Sequence, residues 1–167
     1  MPRTGRVEKK PTIPDPIFQN PIVAKLINKV MKDGKKSIAQ KIVYESFEKI
    51  KKDGQDPLLT FEKAIDNITP KMEVRPRRVG GASYMVPMEV RGIRRQSLAI
   101  TWLVNAARSR SAKEFAVEAR PKNKPTMIAK LTAEITEAAN GAGKAVSKKE
   151  EMHRIAEANK AFAHFRW

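Results

Sequence analysis

Apolar residues recur at helical spacing along the first part of the chain. Asn20 is a natural helix cap and Pro21 fits the first helical position, so a helix is predicted from there. Ile22, Val23, Leu26, Ile27, Val30 and Met31 form its inner stripe, and Gly34 ends the run. A second stripe, Ile38, Ile42, Val43, Phe47 and Ile50, stops at Gly54. A third helix starts at Asp56-Pro57 and turns Leu58, Phe61, Ala64, Ile65 and Ile68 inward before Pro70.

The period then changes from helical to alternating. Tyr84, Val86, Met88 and Val90 share one face of a predicted strand, and Val74 to Val79 is its partner. Gly80-Gly81 supplies the positive φ angles of a tight hairpin. Pro76 and Pro87 cannot donate ladder hydrogen bonds, which suits edge strands. A lone ribbon is marginally stable, so this one is expected to project and be held by what it binds. Helix resumes near Arg94 with Leu98, Trp102 and Ala106 at four-residue spacing. Pro121 and Pro125 force a loop. Met127, Ile128, Leu131, Ile135 and Ala139 mark a fifth helix ending near Gly141 and Gly143. Ser147-Lys148-Lys149-Glu150 fits a capping box for a sixth, with Met152, Ile155, Ala156 and Asn159 inward. Residues 1–19, with four prolines, read as an extended arm.

The expectation is one domain over 1–167, mainly α: a six-helix bundle-like body with a protruding two-stranded β-hairpin at 73–91 and an extended basic N-terminal arm. A length of 167 residues is enough to bury a real core. The formal net charge of +16 changes the picture, because self-repulsion of that size calls for a polyanionic partner. The charge is also concentrated. Residues 71–95 carry seven basic and two acidic groups, and residues 108–130 carry the same. A merely solvating surface mixes its signs more evenly. The absence of cysteine removes disulfides, thiolate zinc sites and cysteine nucleophiles. The start of the chain has no apolar stretch, so no secretory signal is expected, and the run from Leu98 to Ala107 is too short to span a bilayer.

Catalytic readings fail on spacing. His153 and His164, eleven residues apart, do not have a metal-ligand spacing. Gly34-Lys35-Lys36-Ser37 lacks the first glycine and the adjacent Lys-Ser of a phosphate-binding loop. Glu45 with Glu48, and Glu150 with Glu151, read as solvated helix faces. No enzyme activity, metal, cofactor or small-molecule substrate is expected.

The basic segments carry more information. Arg75, Arg77 and Arg78 flank the glycine turn, and Tyr84 follows it. Arginine forks bind phosphate bidentately and a tyrosine ring can stack on an unpaired base. Arg91, Arg94 and Arg95 sit where the ribbon returns to helix, and Arg108, Arg110 and Lys113 approximate one face. Lys35 and Lys36 precede a helix whose amides favour phosphate. Arg3, Lys9 and Lys10 in the arm and Lys148 and Arg154 in the last helix complete the candidate set. A DNA-binding helix-turn-helix around Asp33-Gly34 is the competing reading. Its second helix, Ser37 to Lys52, has glutamates and lysines but no arginine, which is poor equipment for reading bases.

Three stretches resemble a known family. They are Asn20 to Ser46, with Leu26-Ile27-Asn28 and Asp33-Gly34-Lys35-Lys36; Glu73 to Tyr84 with Val86 to Arg91; and Ala156 to Trp167. Together they resemble the small-subunit ribosomal protein seven family, of bacterial or organellar type, across nearly the whole chain. The resemblance implies a helical bundle with a protruding hairpin, and a structural protein of translation bound to the ribosome in the cytoplasm or an organelle. It implies direct binding to small-subunit ribosomal RNA, nucleation of assembly of the subunit head, and the ninth and eleventh small-subunit proteins as neighbours. By resemblance Arg75, Arg77, Arg78, Arg91, Arg94 and Arg95, the Lys35-Lys36 turn and the arm contact ribosomal RNA. The tip, Gly80, Gly81, Ala82, Ser83, Tyr84 and Met85, lies near exit-site transfer RNA. The chain departs from the family pattern at Met85, in place of the usual Gln, and at Gly92-Ile93, in place of Pro-Asp. Roughly ten extra residues are also expected between Ser111 and Thr126, a surface-loop length that costs little, so about 112–125 reads as a loop insertion.

Overall fold

The computed structural model describes residues 11–111 and 126–165. Helix α1 runs Pro21–Val30, with the Asn20 side chain accepting the amide of Ile22 at 2.8 Å. It ends before Gly34: Met31 leaves helical geometry, and a turn follows in which Asp33 and Gly34 both have positive φ. Helix α2 is Lys36–Lys52 and α3 is Pro57–Ile68, the latter capped by Asp56 on the amides of Leu58 and Leu59. Strands β1, Met72–Val79, and β2, Ala82–Glu89, pair antiparallel with Val79 opposite Ala82. Gly80 and Gly81 have φ of 57° and 89°, the left-handed pair that a two-residue hairpin turn requires. Helices α4, Gly92–Ser109, α5, Thr126–Ala139, and α6, Lys144–Ala158, precede a 3-10 segment at Lys160–Phe165.

Helix α5 packs against α2, α3 and α4, and α1 covers α2 and α4 from the side. Phe47, Phe61, Leu26, Ile50, Leu103 and Leu131 fill the space between them. Full burial of each such side chain contributes roughly 1.5–3 kcal/mol, so the body has its own core before any partner binds.

Several stripes are rotated from the expected ones. Ile38 is 54% exposed, and α2 presents Ala39, Val43, Phe47 and Ile50 inward. In α4, Leu98 and Trp102 are half-buried, while Ala99, Ile100, Leu103, Val104 and Ala107 form the core face. Helix α6 begins at Lys144, not at Ser147. The Ser147 hydroxyl instead bonds the Gly143 carbonyl inside the first turn, and Ile155 faces outward at 38% exposed.

The hairpin does not stand free of the body. Val86 and Val90 are buried, and the Lys71 amide just before β1 donates to His153 Nε2 on α6 at 3.0 Å. Nearer the tip, the Tyr84 ring lies 5.0 Å from Phe162 and 5.4 Å from Phe165 of the 3-10 segment. The end of the expected arm is docked as well. Asp15 is buried and accepts the Tyr44 hydroxyl at 2.8 Å, and Phe18 packs edge-on against Phe47 at 5.1 Å.

Candidate nucleic-acid interface

The ribbon base is organised by one carboxylate. Glu73 is 5% exposed; its two oxygens take Arg75 Nε at 2.6 Å and Arg94 Nε at 2.7 Å. Both arginine side chains remain about half exposed, at 48% and 50%. A single negative charge thus orients two positive ones and leaves the group net positive. Arg95 is fixed beside them by donating from Nε to the Val90 carbonyl at 2.8 Å. Arg91, exposed, occupies the cap position of α4. Up the ribbon, Arg77 pairs in register with Tyr84 and Arg78 with Ser83; Arg78 is exposed and Arg77 half-buried. Six arginines distant by up to twenty residues in sequence are therefore gathered along the ribbon and its root.

Helix ends add to this. Asn20 and Asp56 cap α1 and α3, and the Glu134 carboxylate accepts the Ala145 amide in the first turn of α6, but α2 and α4 start without a side-chain cap and without an acidic residue in the first turn. Uncapped amides and the helix dipole favour an anion at such ends. Lys35 and Lys36, both exposed, flank the start of α2. Lys148 is paired with Glu151 at 2.6 Å on the surface of α6, which holds the Glu151 carboxyl below its usual range, and Arg154 is exposed nearby in sequence.

Two candidates have structural work inside the protein. Arg108 donates from Nη2 to the carbonyls of Val30 at 3.2 Å and Lys29 at 3.4 Å, covering the carboxyl end of α1. Arg110 does not share an exposed face with it. It is 7% exposed, and its Nε lies 2.5 Å from the fully buried Glu134, while its terminal nitrogens bind both Glu137 oxygens. The Glu137 hydrogen bonds, then Glu134, hold its guanidinium even more firmly protonated than usual. Arg110 is thus removed from the exposed basic surface, because two carboxylates already take its donors. Arg3, Lys9, Lys10 and Lys113 lie outside the described residues.

At the tip, Gly80, Gly81, Ala82 and Ser83 are exposed and Met85 is 49% exposed, whereas Tyr84 is turned against the 3-10 segment. Sequence reasoning missed Glu73 as the organiser. It is one of two acids in residues 71–95, and nothing in the sequence set it apart from Glu89, which is exposed. Among the described residues no helix is long and apolar enough to cross a membrane, and no cluster of His, Asp or Glu is suited to a metal ion.

A self-sufficient helical body, with its positive charge gathered on a ribbon root and on uncapped helix ends, has the build of a ribosomal protein. The chain belongs to the ribosomal protein S7p/S5e family, whose model matches residues 2–160. It is similar to the protein named small ribosomal subunit protein uS7 from Carboxydothermus hydrogenoformans, at 56% identity over the whole of both chains. The proteins of that name from Caldicellulosiruptor bescii and Caldanaerobacter subterraneus subsp. tengcongensis are 58% and 57% identical, again over the whole of both chains. Membership makes it a small-subunit ribosomal protein with a structural, non-enzymatic role.

Proposed function

We propose that this protein binds small-subunit ribosomal RNA directly and nucleates assembly of the subunit head on the ribosome. The observation that carries the reading is the Glu73-centred root, where Arg75 and Arg94 are held half-exposed beside Arg91 and Arg95. Bonding through Nε leaves the outer edge of each guanidinium for a phosphate, and fixing it beforehand lowers the entropy cost of contact. The ribbon reaches past this anchor, and its uncharged tip is a shape suited to lie beside exit-site transfer RNA. The ninth and eleventh small-subunit proteins are the proposed protein neighbours, and the ribosome in the cytoplasm the proposed location.

Filter binding to a transcript of the head domain of small-subunit RNA tests the anchor. With about six to eight phosphates neutralised, the log–log salt slope is expected at roughly −4 to −6. Arg94→Ala with Arg95→Ala weakens binding and makes the slope shallower. A slope near zero sinks the proposal.

A further inference from the structure

Beside the ribbon root, α1 and the first turns of α4 enclose an open groove of about 310 Å³. It is lined by Lys25, Asn28 and Lys29 of α1 and by Ile93, Ser97 and Ile100 of α4. Ligand pockets start near 300 Å³, so this is room for one small planar group. Ile100, 2% exposed, is its floor; Ile93, 75% exposed, is a lip on the second residue of α4. Lys25 is held in place by Gln96 Oε1 at 2.7 Å. No carboxylate lines the groove.

The positive charge of the groove comes from Lys25 and Lys29. The carboxyl end of α1 should repel an anion. The Arg108 guanidinium, outside the groove, donates to the carbonyls of Lys29 and Val30 there and offsets that repulsion. A site with two lysines, an apolar floor and lip, and an amide and a hydroxyl between them matches one chemistry. Apolar faces cover a ring, Asn28 and Ser97 meet a base edge, and the lysines meet the flanking phosphates. An acidic side chain of a protein would satisfy the lysines and leave Asn28, Ser97 and Ile93 unused.

We infer that this groove seats a single unpaired base of the bound RNA, splayed out of its helix between α1 and α4. The inference rests on the RNA-binding reading above and adds a base-reading subsite to a surface otherwise built for phosphates.

The test fills the groove without touching charge. Ser97 is exposed on α4, so Ser97→Leu keeps the helix, which a thermal melt checks. Ile93→Ala removes the lip and keeps the charge. The probe is the head-domain transcript. Each variant is expected to weaken binding about tenfold with an unchanged salt slope, since no phosphate contact is lost. In wild type one unpaired nucleotide is shielded from base-edge methylation, and Ser97→Leu unmasks it. If wild type binds the transcript but both variants bind equally well and the methylation pattern does not change, the groove is not a base site. If wild type does not bind the transcript, the RNA-binding reading itself falls and the groove inference with it.

Discussion

The imidazole of His153 accepts a hydrogen bond from the backbone amide of Lys71, N to Nε2 at 3.0 Å, and so ties the root of the ribbon to α6. Only a neutral imidazole can accept at that nitrogen. Burial, then the nearby charges of Lys149 and Lys71, push the His153 pKa below its usual value. Below the ordinary histidine pKa of about 6.5, the unfolded chain takes up a proton that the folded chain resists, so stability falls with pH. The thermal midpoint is therefore expected to drop between about pH 7.5 and about pH 5.5, and the protection of the Lys71 amide, relative to its intrinsic exchange rate at each pH, to fall with it. His153→Gln, which keeps an acceptor but cannot titrate, should flatten that slope. An equally steep slope in the variant would assign it to other groups.

Arg110, Glu134 and Glu137 fasten the end of α4 to α5, and Glu134 also accepts the Ala145 amide at 2.9 Å at the start of α6. Arg110→Met leaves the buried Glu134 carboxylate uncompensated, and a loss of ~3–5 kcal/mol is expected in urea unfolding. Adding Glu134→Gln should recover part of it. The salt slope of RNA binding should not change in Arg110→Met, because this arginine faces carboxylates. A shallower slope would return it to the RNA surface. Gly143, at φ 91°, passes so close that an added Cβ would sit 3.1 Å from Glu134 Oε1. Gly143→Ala should cost ~1–3 kcal/mol from backbone strain alone.

Leu103 is fully buried and Leu98 half-buried on the adjacent stripe of α4. Leu103→Ala should lower stability by ~2–5 kcal/mol, and Leu98→Ala by clearly less, because its neighbours can relax toward solvent. Equal urea midpoints for the two variants would contradict this packing.

These cases show what was legible in the chain. Capping at Asn20 and Asp56, the glycine turn and the switch to alternation are local signals, and they located α1, α3 and the ribbon within a few residues. The core face of α4 was not local. Leu98-Trp102-Ala106 and Ala99-Leu103-Ala107 both have helical spacing, and only packing against the other helices decides that the second lies deeper, with Ala106 alone of the first set buried. Pairings across distance were also hidden. Glu73 meets Arg94 across twenty-one residues and Arg110 meets Glu134 across twenty-four, so neither carboxylate carried a sequence mark of burial. Charge composition located the basic ribbon but could not separate arginines that face solvent from one that faces two glutamates.

The ribbon's two ends are held by different devices. The root depends on Glu73, His153 and buried Val86 and Val90; the upper part depends on Tyr84 against Phe162 and Phe165. Aromatic pairs of this kind contribute ~0.5–1.5 kcal/mol beyond the area they bury. Phe162→Ala should therefore free the tip while the root keeps its geometry. Amide exchange should quicken from Arg77 to Met85 and stay slow near Val74 and Pro87's neighbours. Phosphate contacts supply most RNA affinity, and with those contacts at the root, as proposed, binding to the head-domain transcript should stay within about tenfold, or ~1.4 kcal/mol. Release of exit-site transfer RNA from assembled ribosomes should change, since a loosened tip no longer presents a fixed shape. Arg94→Ala with Arg95→Ala should do the reverse, weakening the transcript complex while exchange at the tip stays as in wild type. If Phe162→Ala abolishes transcript binding while release is unaltered, the anchor lies at the tip and the division between the two ends is wrong.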